Sequence, residues 1–308
     1  LAGLEGADIY YTEYFRVHPT STPDRSIVDA IVDNPTGRPV IAQLIGNDIP
    51  ALGRTARQLE RYPIAGIDLN LGCPAPVVYR KCAGGGLLRH PDRIDAILKA
   101  LRETVGSRLS VKTRLGFDSA DHFDALLEVL ARHRLDLVAV HGRIVTGAYH
   151  SAVCYKAIAR AVAALPCPVL ANGNISSVAR AQEVLTQTGA RGLMIGRAAI
   201  RNPWIFRQIR QARRGEPVMQ PRGRDVLDYV RRLLEATDSP GFAERSAITR
   251  IWPVAGSIAT NEPNWGRCTF SQRCTFVFHA SSSGFVVSSV TSITGPPEPR
   301  ATAFERFA

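Results

Sequence analysis

The stretch Gly66-Ile67-Asp68-Leu69-Asn70-Leu71-Gly72-Cys73-Pro74 indicates the fold of the whole chain. Its apolar residues favour a short buried strand, and Gly72 and Pro74 end that strand in a tight turn. The turn presents a side-chain amide, Asn70, and a thiol, Cys73. Parallel β/α barrels build their active sites from polar groups at the carboxyl ends of strands. We therefore predict a barrel strand that ends in a reactive loop; the alternative is a structural loop with a buried cysteine.

Six further segments have a strand-like composition, and helical patterns separate them. The predicted strands are residues 9–14, 39–44, 66–70, 109–114, 135–140, 167–171 and 192–195. The predicted helices between and after them are 48–61, 91–104, 121–132, 155–165, 176–186, 202–214 and 224–236. Alternating strands and helices indicate an α/β fold with a parallel sheet. An open doubly wound sheet is the alternative, but no G-x-G-x-x-G follows a first strand.

We predict a (β/α)8 TIM barrel that lacks its first strand in this sequence and is followed by a small helical region. The barrel covers residues 1–200, truncated at the N-terminus, and the helical region covers 201–250. A barrel without one strand leaves two strand edges unpaired. Residues 251–308 lack helical periodicity and are rich in Ser and Thr, so we expect a divergent or poorly ordered tail.

Composition limits the class of protein. The 308 residues are 45% hydrophobic, and no apolar run approaches 18 residues, which predicts a soluble protein without a membrane partner. The six cysteines have no paired spacing, so we expect neither a metal site nor a disulfide framework, and a cytoplasmic location. The formal net charge of +11 favours an anionic partner, nucleic acid first; the alternative is that the excess charge only aids solubility.

Polar side chains stand at the ends of six predicted strands. They are Gln43, Asn70, Lys112, Arg114, His141, Asn172 and Arg197. The carboxyl ends of barrel strands form one face, and Lys, Arg and His are uncommon in buried strands. We therefore predict one shared polar site, although each residue alone is also compatible with a satisfied polar group at a barrel rim.

The loops after the last two strands predict a phosphate site. Asn172-Gly173-Asn174 precedes one helix, and Gly196-Arg197 begins another. Backbone N–H groups at a helix start attract anions, and barrels bind phosphate after their seventh and eighth strands. These glycines are also compatible with ordinary turns.

A longer motif around the reactive loop resembles the signature of the tRNA-dihydrouridine synthases. It consists of Leu69 to Pro74, then Val78, Arg80, Gly84 to Gly86, Leu87, Leu88 and Pro91. The resemblance extends from about Ala7 to Arg250, and Thr12 to Val17 is most similar to the C-type bacterial branch. It implies a flavin enzyme that reduces a uridine of tRNA to 5,6-dihydrouridine, with FMN as cofactor and NADPH as reductant. The implied partner is tRNA, held in part by the Arg-rich helices after residue 202, and we expect a monomer.

The resemblance also implies roles for individual residues. Cys73 is the catalytic acid, and Lys112 and His141 stabilise charge during transfer. The residues around FMN are Gln43, Lys112, His141, Asn172, Gly173, Asn174, Gly196 and Arg197. Asn70 faces the uracil, Arg114 and Arg143 contact RNA, and no metal takes part.

Two other functions stay open from the sequence. One is an FMN-dependent barrel oxidoreductase acting on a small pyrimidine-like substrate, which leaves the Arg-rich helices unexplained. The other is a non-catalytic, basic RNA-binding remnant, because the first strand is missing and the tail is unusual.

Overall fold

The structure is a computed structural model that describes residues 5–147, 151–237 and 289–292. Its strands are β1 (Ile9–Tyr11), β2 (Phe15–Arg16), β3 (Val40–Ile45), β4 (Gly66–Leu71), β5 (Arg108–Arg114), β6 (Leu137–His141), β7 (Val169–Asn172), β8 (Gly192–Ile195) and β9 (Ser289–Ser292). Seven of the first eight correspond to the predicted strand segments: β1 lies within the segment predicted at 9–14, and the two-residue β2 follows that segment and was not predicted. The prediction of seven strands is therefore confirmed.

The strands β1 and β3 to β8 pair in parallel and nearly in chain order. β1 lies beside β3, and each strand from β3 to β8 then pairs with the next. β2 continues along β3 beyond the end of β1. Strands β3, β4, β6 and β8 are buried along their whole length, as expected where helices cover the outside of a parallel sheet. The α/β barrel architecture is confirmed.

The place between β8 and β1 holds β9, which runs antiparallel to both. Val290 lies opposite Ile9 of β1 and Met194 of β8. Among the described strands, β1 and β3 to β9 thus form a closed ring of eight. The two edges expected to be unpaired are paired here. β9 belongs to the segment predicted as a tail; residues 251–288 and 293–308, on which the rest of that prediction falls, lie outside the described residues, as do residues 238–250 of the predicted helical region.

The helices alternate with the strands in the predicted order. They are α1 (Arg25–Val32), α2 (Ile49–Leu59), α3 (Pro76–Tyr79), α4 (Pro91–Thr104), α5 (Phe123–Ala131), α6 (Tyr155–Ala164), α7 (Val178–Thr188), α8 (Arg197–Arg201), α9 (Ile205–Arg213) and α10 (Gly223–Thr237), with a 3₁₀ helix at Gly84–Arg89. The Asp48 carboxylate accepts from Ala51 N at 2.8 Å and begins α2, as its sequence predicts. The sequence prediction did not include α1 and α3, and the helix predicted at 202–214 is preceded by the short α8.

Side chains along the ring strands alternate between an outer core and the ring interior. Ala42, Leu69 and Val111 belong to the large cluster shared with the helices. A second apolar cluster is contributed by alternate positions of five strands; its members are Ile9, Tyr11, Ile41, Leu137, Ala139, Leu170 and Met194. Because successive side chains of a strand point to opposite faces, this second cluster marks the interior of the ring.

Helix α10 belongs to a second compact unit. Val226, Leu227, Val230 and Leu233 on this helix are exposed. Within the described ranges, no helix is both long enough and apolar enough to cross a membrane.

Candidate active site

The polar residues predicted at the strand ends occupy positions whose side chains face the interior of the ring. Gln43 follows Ile41 by two positions on β3, and His141 follows Ala139 by two positions on β6. The alternation of a strand therefore turns both side chains toward the ring interior. Asn70, Lys112, Arg114 and Asn172 occupy the same phase at the carboxyl ends of their strands. The structure thus brings these six predicted residues to one end of the ring.

The turn that carries Cys73 is held by Asn70. The Asn70 Oδ1 atom accepts hydrogen bonds from the backbone N–H groups of Gly72 and Cys73, each at 2.9 Å. The Asn70 Nδ2 atom donates to Gln43 Oε1 at 2.7 Å. Asn70 therefore shapes the reactive loop through the backbone of that loop, and one of its two Nδ2 protons is engaged with Gln43.

A buried carboxyl group, Asp68, anchors the same network. Gln43 Nε2 donates to Asp68 Oδ2 at 2.8 Å, and the Ser110 hydroxyl donates to Asp68 Oδ1 at 2.6 Å. Asp68 has 0% exposure. Burial raises the pKa of Asp68 to about 6, although the hydrogen bonds from Ser110 and Gln43 favour its ionised form. Sequence reasoning missed this residue; its spacing of two from Asn70 was the signal that both share a face.

Lys112 lies among the other cations of the site. Its Nζ atom approaches Asn172 Oδ1 at 3.5 Å, and Asn172 Nδ2 donates to the backbone oxygen of Met194 at 2.7 Å. Burial lowers the pKa of Lys112 to about 8, and the Arg114 guanidinium acts in the same direction. A lysine with this pKa is mostly charged at neutral pH and attracts an anionic group.

His141 is a neutral ring inside a positively charged site. Burial lowers the pKa of His141 to about 2, and Lys112, Arg114, Arg143 and Arg197 add their repulsion. The Arg143 Nη1 atom lies 3.1 Å from His141 Nε2. Because a guanidinium only donates, Nε2 accepts and the neutral ring carries its proton on Nδ1.

Arg114 and Arg143 are buried and hold loops. Arg114 is 2% exposed, and it donates to Gly72 O through Nε at 2.9 Å and to Ile144 O through Nη1 at 2.8 Å. Arg143 is 4% exposed and donates to Ser151 O at 2.5 Å and to Asn174 Oδ1 at 3.1 Å. Little of either guanidinium is therefore accessible to an RNA ligand. The sequence had suggested RNA contacts for both arginines.

The predicted phosphate loops lie next to this site. A side-chain carbon added at Gly196 would meet no atom within 4 Å, so open space adjoins the start of α8 at Arg197. Arg197 is close enough to His141 to lower its pKa. The Gly173 carbonyl accepts from the Tyr155 hydroxyl at 2.7 Å, and Gly173 has a φ of +128°, which favours glycine. The arrangement can hold an anionic cofactor between Lys112 and Arg197.

The Cys73 thiol is partly buried in its loop. Burial raises the pKa of Cys73, although a backbone hydrogen bond from Ala75 acts in the opposite direction. The thiol therefore keeps its proton at neutral pH. A protonated thiol at the mouth of a polar site is suited to donate that proton.

Most of the chain matches the sequence model of one protein family. The family model described as Dihydrouridine synthase (Dus) matches residues 2–247. The chain belongs to the dihydrouridine synthase family. The range matched to the dihydrouridine synthases contains the reactive loop, the strand-end polar residues and both phosphate loops.

Named relatives agree with this assignment. The tRNA-dihydrouridine synthase B of Vibrio cholerae serotype O1 is 39% identical over 168 residues, which cover 54% of this chain and 52% of that protein. A probable tRNA-dihydrouridine synthase of Helicobacter pylori strain J99 is 40% identical over 173 residues, 55% of this chain and 52% of that protein. The chain thus spans about half the length of these two curated relatives.

A longer match joins the chain to the tRNA-dihydrouridine synthase B of Yersinia pestis. It is 36% identical over 206 residues, covering 66% of this chain and 62% of that protein. Two of the three relatives carry the name synthase B. The similarity of the Thr12 to Val17 segment to the C-type branch therefore finds no support among these three proteins.

Proposed function

We propose that this member of the dihydrouridine synthase family reduces a uridine of tRNA to 5,6-dihydrouridine, with FMN as cofactor and NADPH as reductant. One observation carries the proposal: Lys112, neutral His141 and the Cys73 loop come together at the carboxyl end of the ring. The family match and the three named relatives support the same activity.

The residues present fit FMN. The open space at Gly196 and the adjacent Arg197 suit its phosphate, together with the backbone of Gly173 and Asn174. Lys112, Asn172 and neutral His141 would interact with the remaining polar atoms of the cofactor. Gln43 retains one N–H and one oxygen lone pair beyond its bonds to Asp68 and Asn70, which allows a cofactor contact. When bound, FMN would supply the hydride for C6 of the uracil.

Cys73 would supply the proton for C5 of the same base. The raised pKa keeps the thiol protonated, so the proton is available when the C5–C6 double bond is reduced. The resulting thiolate then recovers a proton from solvent. Asn70 would keep the thiol in place through the backbone of Gly72 and Cys73, and its remaining Nδ2 proton is available to the uracil.

Lys112 and His141 would act on charge in different ways. Lys112 offers a full positive charge near neutral pH, whereas His141 offers only the hydrogen-bonding capacity of a neutral ring. We propose that Arg114 and Arg143 position the loops that carry Gly72, Ile144 and Asn174. This replaces the RNA contacts that the sequence suggested for these two arginines.

The tRNA partner is also a proposal, and the arginines of α9 contribute to it unequally. Arg210 donates to the backbone of Gly6 and pairs with Asp8 at 3.3 Å, and Arg207 lies 3.5 Å from Glu5. These two arginines therefore attach the N-terminal segment to α9. Arg213, Arg224 and Arg232 are more suitable for a nucleic-acid phosphate, whereas Arg231 lies 3.4 Å from Asp228.

The deciding experiment supplies FMN, NADPH and tRNA that lacks dihydrouridine, and measures dihydrouridine by mass spectrometry of the digested tRNA. We expect the product with tRNA and none with free uridine, which separates this activity from a barrel enzyme for small pyrimidines. Cys73→Ala should lose at least about 100-fold in turnover, the range for loss of a general acid, while Cys154→Ala on the surface serves as the matched control. Equal turnover of the Cys73→Ala variant and the control would exclude the assigned role of Cys73.

A further inference from the structure

A group of exposed cations follows the Cys73 loop in the chain. Arg80, Lys81, Arg89 and Arg93 are all exposed and lie between the end of α3 and the first turn of α4. We call these four residues the basic rim. None of them was assigned to RNA or cofactor by the sequence or by the site described above.

The basic rim is attached directly to the reactive loop. Gly85 N donates to the backbone oxygen of Cys73 at 3.2 Å. Gly84 has a φ of +54°, and a side-chain carbon there would lie 2.9 Å from Cys73 Cβ. The 3₁₀ helix that leads to Arg89 therefore packs against the turn of Cys73 at van der Waals distance.

Neighbouring loops brace the rim from two sides. Asn47, in the loop after β3, donates through Nδ2 to Lys81 O at 3.0 Å and accepts at its own backbone oxygen from Arg93 Nη2 at 2.7 Å. On the other side, the Arg89 guanidinium lies 4.2 Å above the Phe117 ring, in the loop after β5. All these loops follow the carboxyl ends of ring strands, so the rim lies on the same end of the ring as the site.

The charge of the rim is not balanced by local carboxylates. In the part of the chain that the structure describes, no ion pair within 4.0 Å joins Arg80, Lys81, Arg89 or Arg93 to a carboxylate. Among the nearest acidic residues in sequence, Asp48 caps α2, Asp92 is exposed in the first turn of α4, and Asp95 pairs with Arg132 and His133. The surface beside Cys73 therefore keeps a positive excess.

We propose that the basic rim binds backbone phosphates of the RNA nucleotides that flank the reduced uridine. The proposal rests on the proposed function, because it takes the RNA to be the substrate delivered to Cys73. A uridine must leave its stack to reach a barrel interior, and the backbone beside a flipped base needs to be held. Exposed Arg and Lys side chains supply such contacts without reading sequence.

The test compares two double variants of the full chain for tRNA affinity at several salt concentrations. Arg80→Ala/Lys81→Ala removes the two rim cations for which no side-chain bond to another group is described. Arg57→Ala/Arg61→Ala is the matched control, because these exposed arginines lie in and after the last turn of α2, before β4 and thus at the other end of the ring. Far-ultraviolet circular dichroism and thermal unfolding check that both variants keep the fold.

We expect the rim variant to bind tRNA about tenfold more weakly than wild type near 100 mM salt, with the slope of log K against log salt reduced by about 1.4, or 0.7 for each lost phosphate contact. The control variant should keep the wild-type affinity for tRNA and the wild-type slope. Wild-type affinity and slope in the rim variant, or equal losses in the two variants, would overturn the proposal. Dihydrouridine formation by wild type is scored separately: its absence overturns the proposed function, while the affinities still decide whether the rim binds RNA.

Discussion

The Gln43 side chain donates through Nε2 to the buried Asp68 carboxylate at 2.8 Å. This bond fixes the Gln43 amide so that its Oε1 atom accepts a hydrogen bond from Asn70 Nδ2. Asn70 Oδ1 in turn accepts a hydrogen bond from the backbone N–H of Cys73. Each amide in this chain of hydrogen bonds has its orientation set by its neighbours, because an ionised carboxylate only accepts and a backbone N–H only donates. A charge inside the ring is thereby connected to the loop that carries the thiol.

Asp68→Asn should change how stability depends on pH. The pKa of Asp68 in the fold is about 6, against an ordinary value of 3.8, so folding favours its protonated form. Its contribution to stability is then present in full below about pH 4 and is lost as the pH rises to about 6. The shift of this pKa from 3.8 to about 6 corresponds to about 3 kcal/mol in the free energy of unfolding. We expect the free energy of unfolding of wild type to fall relative to Asp68→Asn by up to this amount between pH 4 and 7, measured by urea unfolding.

A matched control for this experiment is Asp33→Asn, an exposed carboxylate at the end of α1. The change with pH seen for Asp68→Asn should clearly exceed the change seen for this surface variant. A free energy difference between wild type and Asp68→Asn that does not vary with pH would contradict the raised pKa of Asp68.

Lys112→Met should remove a pH dependence of flavin binding. Because the pKa of Lys112 is about 8, its positive charge is lost as the pH rises through that value. The affinity of wild type for FMN, followed by flavin fluorescence, should then fall by about tenfold between pH 7 and 9, the loss expected for one charge-assisted hydrogen bond. The Lys112→Met variant should bind more weakly at pH 7 and show no comparable decrease. Lys99→Met, an exposed position on α4, should behave as wild type.

Gly84→Ala should cost more stability than Gly37→Ala. Both glycines have positive φ, at +54° and +63°, so both substitutions carry the backbone cost of about 1 kcal/mol. A side-chain carbon at Gly37 meets nothing within 4 Å, whereas at Gly84 it lies 2.9 Å from Cys73 Cβ and from Ile45 Cδ1. Overpacking at Gly84 should lower the free energy of unfolding by a further amount of about 1–3 kcal/mol. Because the added carbon presses on Cys73, we also expect slower alkylation of its thiol or slower turnover. Equal free energies of unfolding for the two variants would show that the loop accommodates the added carbon at Gly84 without loss of stability.

Thr291→Pro should weaken the closed ring. Thr291 lies in β9 opposite Leu193 of β8, and proline removes a backbone donor from a strand that has neighbours on both sides. We expect a lower melting temperature and more aggregation on heating, because the edges of β1 and β8 become available. Thr291→Val keeps the donor and should melt close to wild type. Identical melting of the two variants would mean that pairing by β9 contributes nothing to stability.

Most strands and helices of the barrel were predictable because each produces a pattern in residues that are close together in the sequence. Seven strand segments follow from short apolar runs between helical periodicities, and all seven are present. The strand-end residues Gln43, Lys112 and His141 were found for the same reason, since the alternation of a strand and the ends of its run are visible in the sequence. Asp68 was within reach of this reasoning through its spacing from Asn70, but an acidic residue inside an apolar run was not connected with the network that it anchors.

The sequence by itself determined the family, the order of strands and helices, and the set of polar residues at the strand ends, because each depends on residues close together in the chain. The tertiary structure decided the rest. The burial of Arg114 and Arg143, the orientation of the Gln43 and Asn70 amides, and the place of β9 between β1 and β8 all depend on atoms from segments far apart in sequence. Contacts of this kind are selected by packing and by the pairing of buried polar groups, which no local pattern specifies.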